Sequence, residues 1–279
     1  MVYKSDISRE NPTCILFIVD QSTSMQNRLE GGSSKALYLA DAINRAIYTM
    51  IVRCTRSDGI RDYFQLGIIG YSGSEARNAW LGALALQELH DISEVAAKPF
   101  EIQERHQQFA SDSDSMESRP VKFPIWMKPV SAGYTSMCAG LRRAHSILVN
   151  WCETHPQNYP PTVIHITDGH PTDGDPEPIA TSLKELGTND GKLILFNVHV
   201  DVGSGVPILF PISSRELPDR FGVKLFRMSS VLPSQAIQLL RQKGIKVGDS
   251  PQAFVYNADI QAIVDLFDIG TRPSNFAER

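Results

Sequence analysis

The sequence predicts an α/β fold, a doubly wound, mostly parallel sheet with helices on both faces and one short antiparallel edge strand. Two observations predict it. Short apolar runs read as strands, and the continuous β-branched and aromatic run Cys14–Val19 reads as one buried on both faces. Amphipathic segments of 10 to 20 residues alternate with them, which implies parallel strands joined by covering helices.

The first strand, Cys14-Ile15-Leu16-Phe17-Ile18-Val19, stops at Asp20. A helix is expected over 34–54, where Leu37, Ala40, Ile43, Ile47 and Met50-Ile51 recur at three- and four-residue steps. A second strand spans Phe64–Tyr71, and a short third is expected around Ala79-Trp80-Leu81, with Gly70, Gly73 and Gly82 as punctuation. Residues 91–129 hold four prolines and the polar stretch Ser111–Ser115, and read as an insertion or long ordered loop. Met137, Leu141, Ala144, Leu148 and Trp151 then define one helix face, and the strand Thr162–Thr167 ends at Asp168-Gly169. A helix over Glu177–Leu186, strands over Lys192–Val200 and Lys224–Met228, and a closing helix over Asp259–Ile269, capped by Asn257, complete the expected elements.

The chain has 279 residues, 27 Lys+Arg against 31 Asp+Glu, and 42% hydrophobic residues. That apolar fraction excludes a disordered chain, and no apolar run approaches the roughly 20 residues of a membrane-spanning helix. A formal net charge of -4 with scattered Lys and Arg leaves no footprint for nucleic acid or a membrane surface. The N-terminus does not read as a secretory signal, and Cys14, Cys54, Cys138 and Cys152 are too far apart for a disulfide framework or a zinc site. Reduced thiols in a cytoplasmic protein are the expectation.

Two strands end in aspartate. Beyond the first lies Asp20-Gln21-Ser22-Thr23-Ser24-Met25, and beyond the second Asp168-Gly169-His170-Pro171-Thr172-Asp173. In a doubly wound sheet, ligands bind outside the carboxyl ends of the strands. Carboxylates desolvated at one sheet edge repel unless a cation sits between them, and a metal ion would supply it. Ser22 and Ser24 leave the first strand on a turn that can aim both at one spot. The loop Gly133-Tyr134-Thr135-Ser136 brings Thr135 to the start of a helix. Hydroxyl and carboxylate oxygens without His or Cys suit a hard cation, Mg²⁺ or Mn²⁺.

Asp20-x-Ser22-x-Ser24, a later Thr135 and the strand end Thr167-Asp168-Gly169 resemble, in that order, the metal-ion-dependent adhesion site of von Willebrand factor A domains. The segments Asn11–Cys14, Ile166–Gly169 and Phe254–Asp259 look like those of stand-alone intracellular bacterial members, associated with kinase and phosphatase signalling modules. The resemblance implies one ion bound by the hydroxyls of Ser22, Ser24 and Thr135. Asp20 and Asp168 would act directly or through water, and a coordination position would stay open for a partner's Glu or Asp. It also implies one domain over 1–279, since Asp20, Thr135 and Asp168 must meet. The sequence departs from the commoner forms at Thr23, where they have glycine, and at Tyr134 and Ser136, where they have glycine or proline. Tyr134, Ser136, His170 and Asp173 are the expected partner contacts, although Asp173-Gly174-Asp175-Pro176 also reads as a simple turn into a helix.

Enzymatic readings have weaker support. Phosphotransferases of the haloacid dehalogenase type use a strand-end Asp-x-Asp, and Ser22 stands where the second carboxylate would act as acid. No nucleophile elbow, phosphate loop or dinucleotide fingerprint is present. Gly31-Gly32-Ser33-Ser34-Lys35 reads as a flexible rim of the site. Cys138 and His145 lie two helical turns apart, about 10 Å, too far for direct proton transfer. A protein-binding module without catalysis is therefore the expectation, with a Mg-dependent phosphohydrolase in the same crevice as the alternative.

Overall fold

The computed structural model describes residues 3, 7–29, 32–110, 116–200 and 206–258. The expected helix over Asp259–Ile269 and the polar stretch Ser111–Ser115 lie outside the described residues. In chain order the elements are β1 (Thr13–Asp20), α1 (Lys35–Cys54), β2 (Phe64–Ser72), β3 (Glu75–Asn78), β4 (Leu89–Asp91) and α2 (Ile92–Ala97). They continue with β5 (Glu101–Ala110), β6 (Met116–Ile125), α3 (Met137–Thr154), β7 (Thr162–Thr167), α4 (Glu177–Glu185) and β8 (Ile194–His199). The last are β9 (Ile208–Leu209), α5 (Arg220–Met228), α6 (Ser234–Gln242) and β10 (Phe254–Tyr256).

Every residue of β1 is buried, and its side chains alternate between two apolar layers. Ile15, Phe17 and Val19 pack with α1, α2 and α6 on one face, whereas Cys14, Leu16 and Ile18 pack with α3, α4 and α5 on the other. Such two-sided burial requires strands without polar alternation, which is why the apolar runs are continuous. The eight-stranded sheet has the order β9-β10-β8-β7-β1-β2-β3, with β4 also on β2. From β10 through β2 the strands are parallel. The chain passes from β1 to β2 on one side and later returns to β7 on the other, so strand order reverses between β1 and β7. Their carboxyl ends deliver Asp20 and Asp168 to the crevice beyond that reversal.

Several elements differ from expectation. Three antiparallel strands, β3, β4 and β9, flank the parallel core where one was expected. The third strand is Glu75–Asn78, and Trp80 lies past it, 2% exposed, with its indole N–H donating to Glu88 O at 3.2 Å. Lys224–Met228 is the second half of helix α5, not a strand, because Phe221, Leu225 and Met228 form one buried stripe at four- and three-residue steps. On α1, Leu37 is 45% exposed and Leu39 takes the inward place.

Residues 91–129 are largely regular: α2 is followed by the antiparallel hairpin β5–β6, in register from Glu101↔Ile125. Pro120 and Pro124 fit there because both strands of an isolated hairpin are edges. The hairpin rests on α1 through a two-pronged ion pair, Arg105 Nη1 to Asp41 Oδ2 at 3.0 Å and Nη2 to Oδ1 at 2.8 Å, with the guanidinium 4.1 Å over the Phe123 ring. Among the described residues no helix is long and apolar enough to cross a membrane.

Candidate functional site

Asp20 closes β1 and is 1% exposed. Its Oδ1 accepts from the Ser22 N–H at 2.9 Å, a turn that bends the chain off the strand, and its Oδ2 accepts from Thr167 Oγ1 at 2.7 Å. Burial pushes this carboxyl above its ordinary range; the hydrogen bonds from Ser22 and Thr167 oppose the rise and the Asp168 charge adds to it. The turn runs on as a short 3-10 helix, Thr23–Gln26, which sets Ser22 Oγ and Ser24 Oγ 3.0 Å apart. Ser24 Oγ in turn donates to Asp168 Oδ1 at 2.6 Å. Asp20, Ser22, Ser24 and Asp168 thus form one connected row.

The other oxygen of Asp168 accepts from Lys35 Nζ at 2.9 Å, and the two side chains are 1% and 3% exposed. Lys35, which stands where the expected rim Gly31–Lys35 overlaps the expected helix over 34–54, is the first residue of α1, behind a Ser34 cap that accepts from the Leu37 N–H at 3.2 Å. A lysine in the first turn faces the positive end of the helix dipole, so its place there asks for a compensating anion. That was the available sign. The cation demanded beside the carboxylates is, at Asp168, supplied by the chain itself.

Thr135 arrives from a separate loop that is stitched to the first. Gly133 O accepts from both Thr23 N and Thr23 Oγ1 at 3.0 Å, Ala132 N donates to Gln21 O at 2.8 Å, and Gly73 N donates to Tyr134 O at 2.9 Å. Gly133 has a φ of +71°, and a Cβ there would sit 2.8 Å from Gly73 Cα, so neither the turn nor the close approach admits a side chain. Thr135 is 8% exposed. A Cβ on Gly169 would lie 3.8 Å from Ser24 Oγ and 3.9 Å from Thr135 Oγ1, which places the two hydroxyls around one point above Gly169.

The four expected partner contacts divide into two kinds. Tyr134 is 75% exposed at the rim, and His170 is exposed with its ring packed on Phe221 at 4.4 Å between centroids. Ser136 is fully buried and its hydroxyl donates to Glu75 O at 3.1 Å. Asp173 accepts from the Cys138 N–H at 3.0 Å and the Ala139 N–H at 2.9 Å, satisfying the first turn of α3. Both of these side chains are engaged in hydrogen bonds within the chain, Ser136 fully buried and Asp173 half-buried.

Beneath the site runs a buried polar row that no local sequence pattern reveals. Tyr71 OH lies 3.3 Å from Asp20 Oδ2 and 2.9 Å from His165 Nε2. His165 Nδ1 lies 2.7 Å from Asn197 Oδ1, Asn197 Nδ2 donates to Ser229 Oγ at 3.0 Å, and Ser229 Oγ donates to Leu225 O at 2.8 Å. Because Asn197 presents its carbonyl oxygen, the His165 proton sits on Nδ1, and Nε2 accepts from Tyr71. Burial pushes the ring down to about 4, so it is neutral at pH 7.

The donor set fits a hard cation. It comprises two carboxylates and three hydroxyls, and no group of three or more His, Cys, Asp or Glu among the described residues has the geometry of a metal site. An octahedral ion with oxygens at about 2.1 Å keeps adjacent ligands about 3.0 Å apart. Ser22 Oγ and Ser24 Oγ stand at that separation.

No protein-family model and no curated protein matches the chain. Solved structures do. The pilus adhesin SpaC from Lactobacillus rhamnosus GG is 14% identical over 92% of this chain and 30% of its own, with a TM-score of 0.48. The vWF domain of the type V pili tip protein Mfa5 from Porphyromonas gingivalis is 13% identical over 58% of this chain and 39% of its own, with a TM-score of 0.33. The ArnB paralog VWA2 from Sulfolobus acidocaldarius is 12% identical over 70% of this chain and 36% of its own, with a TM-score of 0.34. The chain spans well under half the length of each.

Proposed function

We propose that this chain is a von Willebrand factor A-type binding module whose strand-end site holds one Mg²⁺ or Mn²⁺ and captures a Glu or Asp side chain of a protein partner. The observation that carries the reading is the connected row Asp20–Ser22–Ser24–Asp168, faced by Thr135 across Gly169 at the reversal of strand order. Ser22, Ser24 and Thr135 would hold the ion by their hydroxyls, and Asp20 and Asp168 would orient those hydroxyls and anchor waters. When bound, the ion supplies an electrophilic centre for the partner's carboxylate.

The chain's own residues do the rest. Hydrogen bonds to Thr23 and Gln21 fix the Thr135 loop on the Ser22 loop, so the hydroxyls are placed before any ligand arrives. Tyr134 stands exposed at the rim, where an aromatic ring covers a partner surface at small entropic cost. A binding role fits better than hydrolysis: Asp20 is almost wholly buried with both oxygens accepting hydrogen bonds, and the neighbouring position carries Ser22 in place of an acid. Four buried, unpaired cysteines agree with a cytoplasmic location, and we place its partners among kinase and phosphatase signalling components on the sequence resemblance.

Calorimetric titration of the purified chain tests this. Mg²⁺ or Mn²⁺ should bind at millimolar concentration or tighter, and Thr135→Ala should weaken binding by about tenfold. Proteins captured from extract in Mg²⁺ should leave in chelator and should not be captured by the Thr135→Ala variant. Capture indifferent to chelator would refute the reading. Turnover of a generic phosphate ester, lost in Asp20→Asn, would favour the phosphohydrolase instead.

A further inference from the structure

We propose that Lys35 is the resident counter-charge of this site, and that its ammonium group limits how tightly a divalent ion is held. The inference rests on the metal-binding reading above. Three observations carry it. The Lys35 and Asp168 side chains are 3% and 1% exposed, so the pair lies where charges interact far more strongly than at the surface. The ammonium takes Oδ2 of Asp168 at 2.9 Å while Ser24 takes Oδ1 at 2.6 Å, so both oxygens of the carboxylate are directed by the chain. Lys35 also stands at the first position of α1, where the helix dipole opposes a cation, so Asp168 is what makes the position tenable.

Two consequences follow from charge alone. Without an ion, Lys35 answers the carboxylate and the site is complete, so the fold does not depend on metal. With an ion, a unit positive charge sits on a carboxylate that anchors a doubly positive one, and affinity drops. The residue therefore tunes a site that would otherwise hold its ion more tightly.

The test compares the full chain with Lys35→Met, Lys35→Arg and Lys35→Gln, using Mg²⁺ and Mn²⁺ as ligands, by calorimetry and by thermal melting with and without chelator. Lys35→Gln keeps a hydrogen-bond donor for Asp168 without the charge, and serves if the Met variant does not fold. Removing the charge should tighten divalent binding by about tenfold or more, and Lys35→Arg should leave it near wild type. In chelator, Lys35→Met should melt roughly 10 °C lower than wild type and recover in Mg²⁺. Equal affinities in all four proteins would overturn the inference while leaving the metal site standing. Weaker binding in the Met and Gln variants would overturn it too, because Lys35 would then serve the ion by orienting Asp168. No divalent binding in any of the four would overturn both the inference and the metal reading.

Discussion

His165 gives the fold a pH dependence that can be worked out in advance. Its ring is fully buried, with Nδ1–H held by Asn197 and Nε2 accepting from Tyr71, and burial lowers its pKa from 6.5 to about 4. In the unfolded chain the imidazole takes a proton below about pH 6.5, whereas in the folded chain it does so only near pH 4. Between those values the unfolded state binds more protons, so acidification destabilises the fold. The contribution is intact above pH 6.5 and lost as pH falls to 4. At about 1.36 kcal/mol per pK unit the full loss is about 3 kcal/mol, and most of it has gone by pH 4.5. His165→Asn keeps a donor for Asn197 and cannot titrate, but it leaves the Tyr71 hydroxyl without its nitrogen acceptor. That costs about 1–2 kcal/mol at pH 7. Urea melts of both proteins at pH 7.5, 6 and 4.5 should therefore cross: wild type the more stable at neutral pH, the variant equal or better at pH 4.5. Asp20 is present in both, so its own titration largely cancels in the difference. Parallel stability curves for the two proteins would show that His165 is not held neutral by burial.

Other perturbations have defined outcomes. Asp173→Ala removes both acceptors from the start of α3 and should lower stability by about 1–2 kcal/mol in thermal melts, with Asp173→Asn losing less. Gly133→Ala forces a side chain into a positive-φ turn against Gly73 and should cost about 1–3 kcal/mol; because the turn carries Thr135, divalent affinity measured by calorimetry should fall with it. Arg105→Met breaks an ion pair whose partners are each 26% exposed, so global stability should change by less than about 1 kcal/mol. Hydrogen exchange at Glu101–Arg105 and Val121–Ile125 should nevertheless quicken while that of β7 stays the same.

What could be read from the sequence followed from the length and purity of each pattern. β1 is a continuous apolar run ending at Asp20, and β7 is a β-branched run interrupted by His165 that ends at Asp168; every residue of both is buried. The window Lys224–Met228 is too short to reveal the helical period of α5, whose buried stripe begins at Phe221, and Gly222 interrupts the local pattern. A Cβ at that glycine would meet the Tyr256 ring at 3.0 Å, a tight approach that no local pattern encodes. The hairpin β5–β6 was missed because it has little apolar alternation and carries two prolines that only an edge tolerates. Asp20, Ser22, Ser24 and Asp168 are legible as neighbours because they sit at or just beyond two strand ends, and Thr135 is legible from a glycine-led loop that opens a helix. Lys35 reaches Asp168 from 133 positions away, and only its awkward place at a helix start hinted at a partner. Ser136 and Asp173 looked like surface loop residues for a similar reason: the backbone atoms they bond, Glu75 O and the first amides of α3, are brought to them by tertiary packing.

The hairpin leaves the body of the protein and rejoins it at one place, with Glu101 opposite Ile125 and Phe100 N donating to Ile125 O at 2.8 Å. Trp126, the next residue, is already deep in the core, with its indole N–H on Val95 O at 2.7 Å and its backbone N–H on the Asn44 side chain at 2.9 Å. Entry and exit are thus pinned by residues outside the hairpin. The hairpin is a sheet of its own, and beyond its base it meets the body through Arg105 and Phe123 on α1, so a change in it is felt at α1 before it reaches β1 or β7.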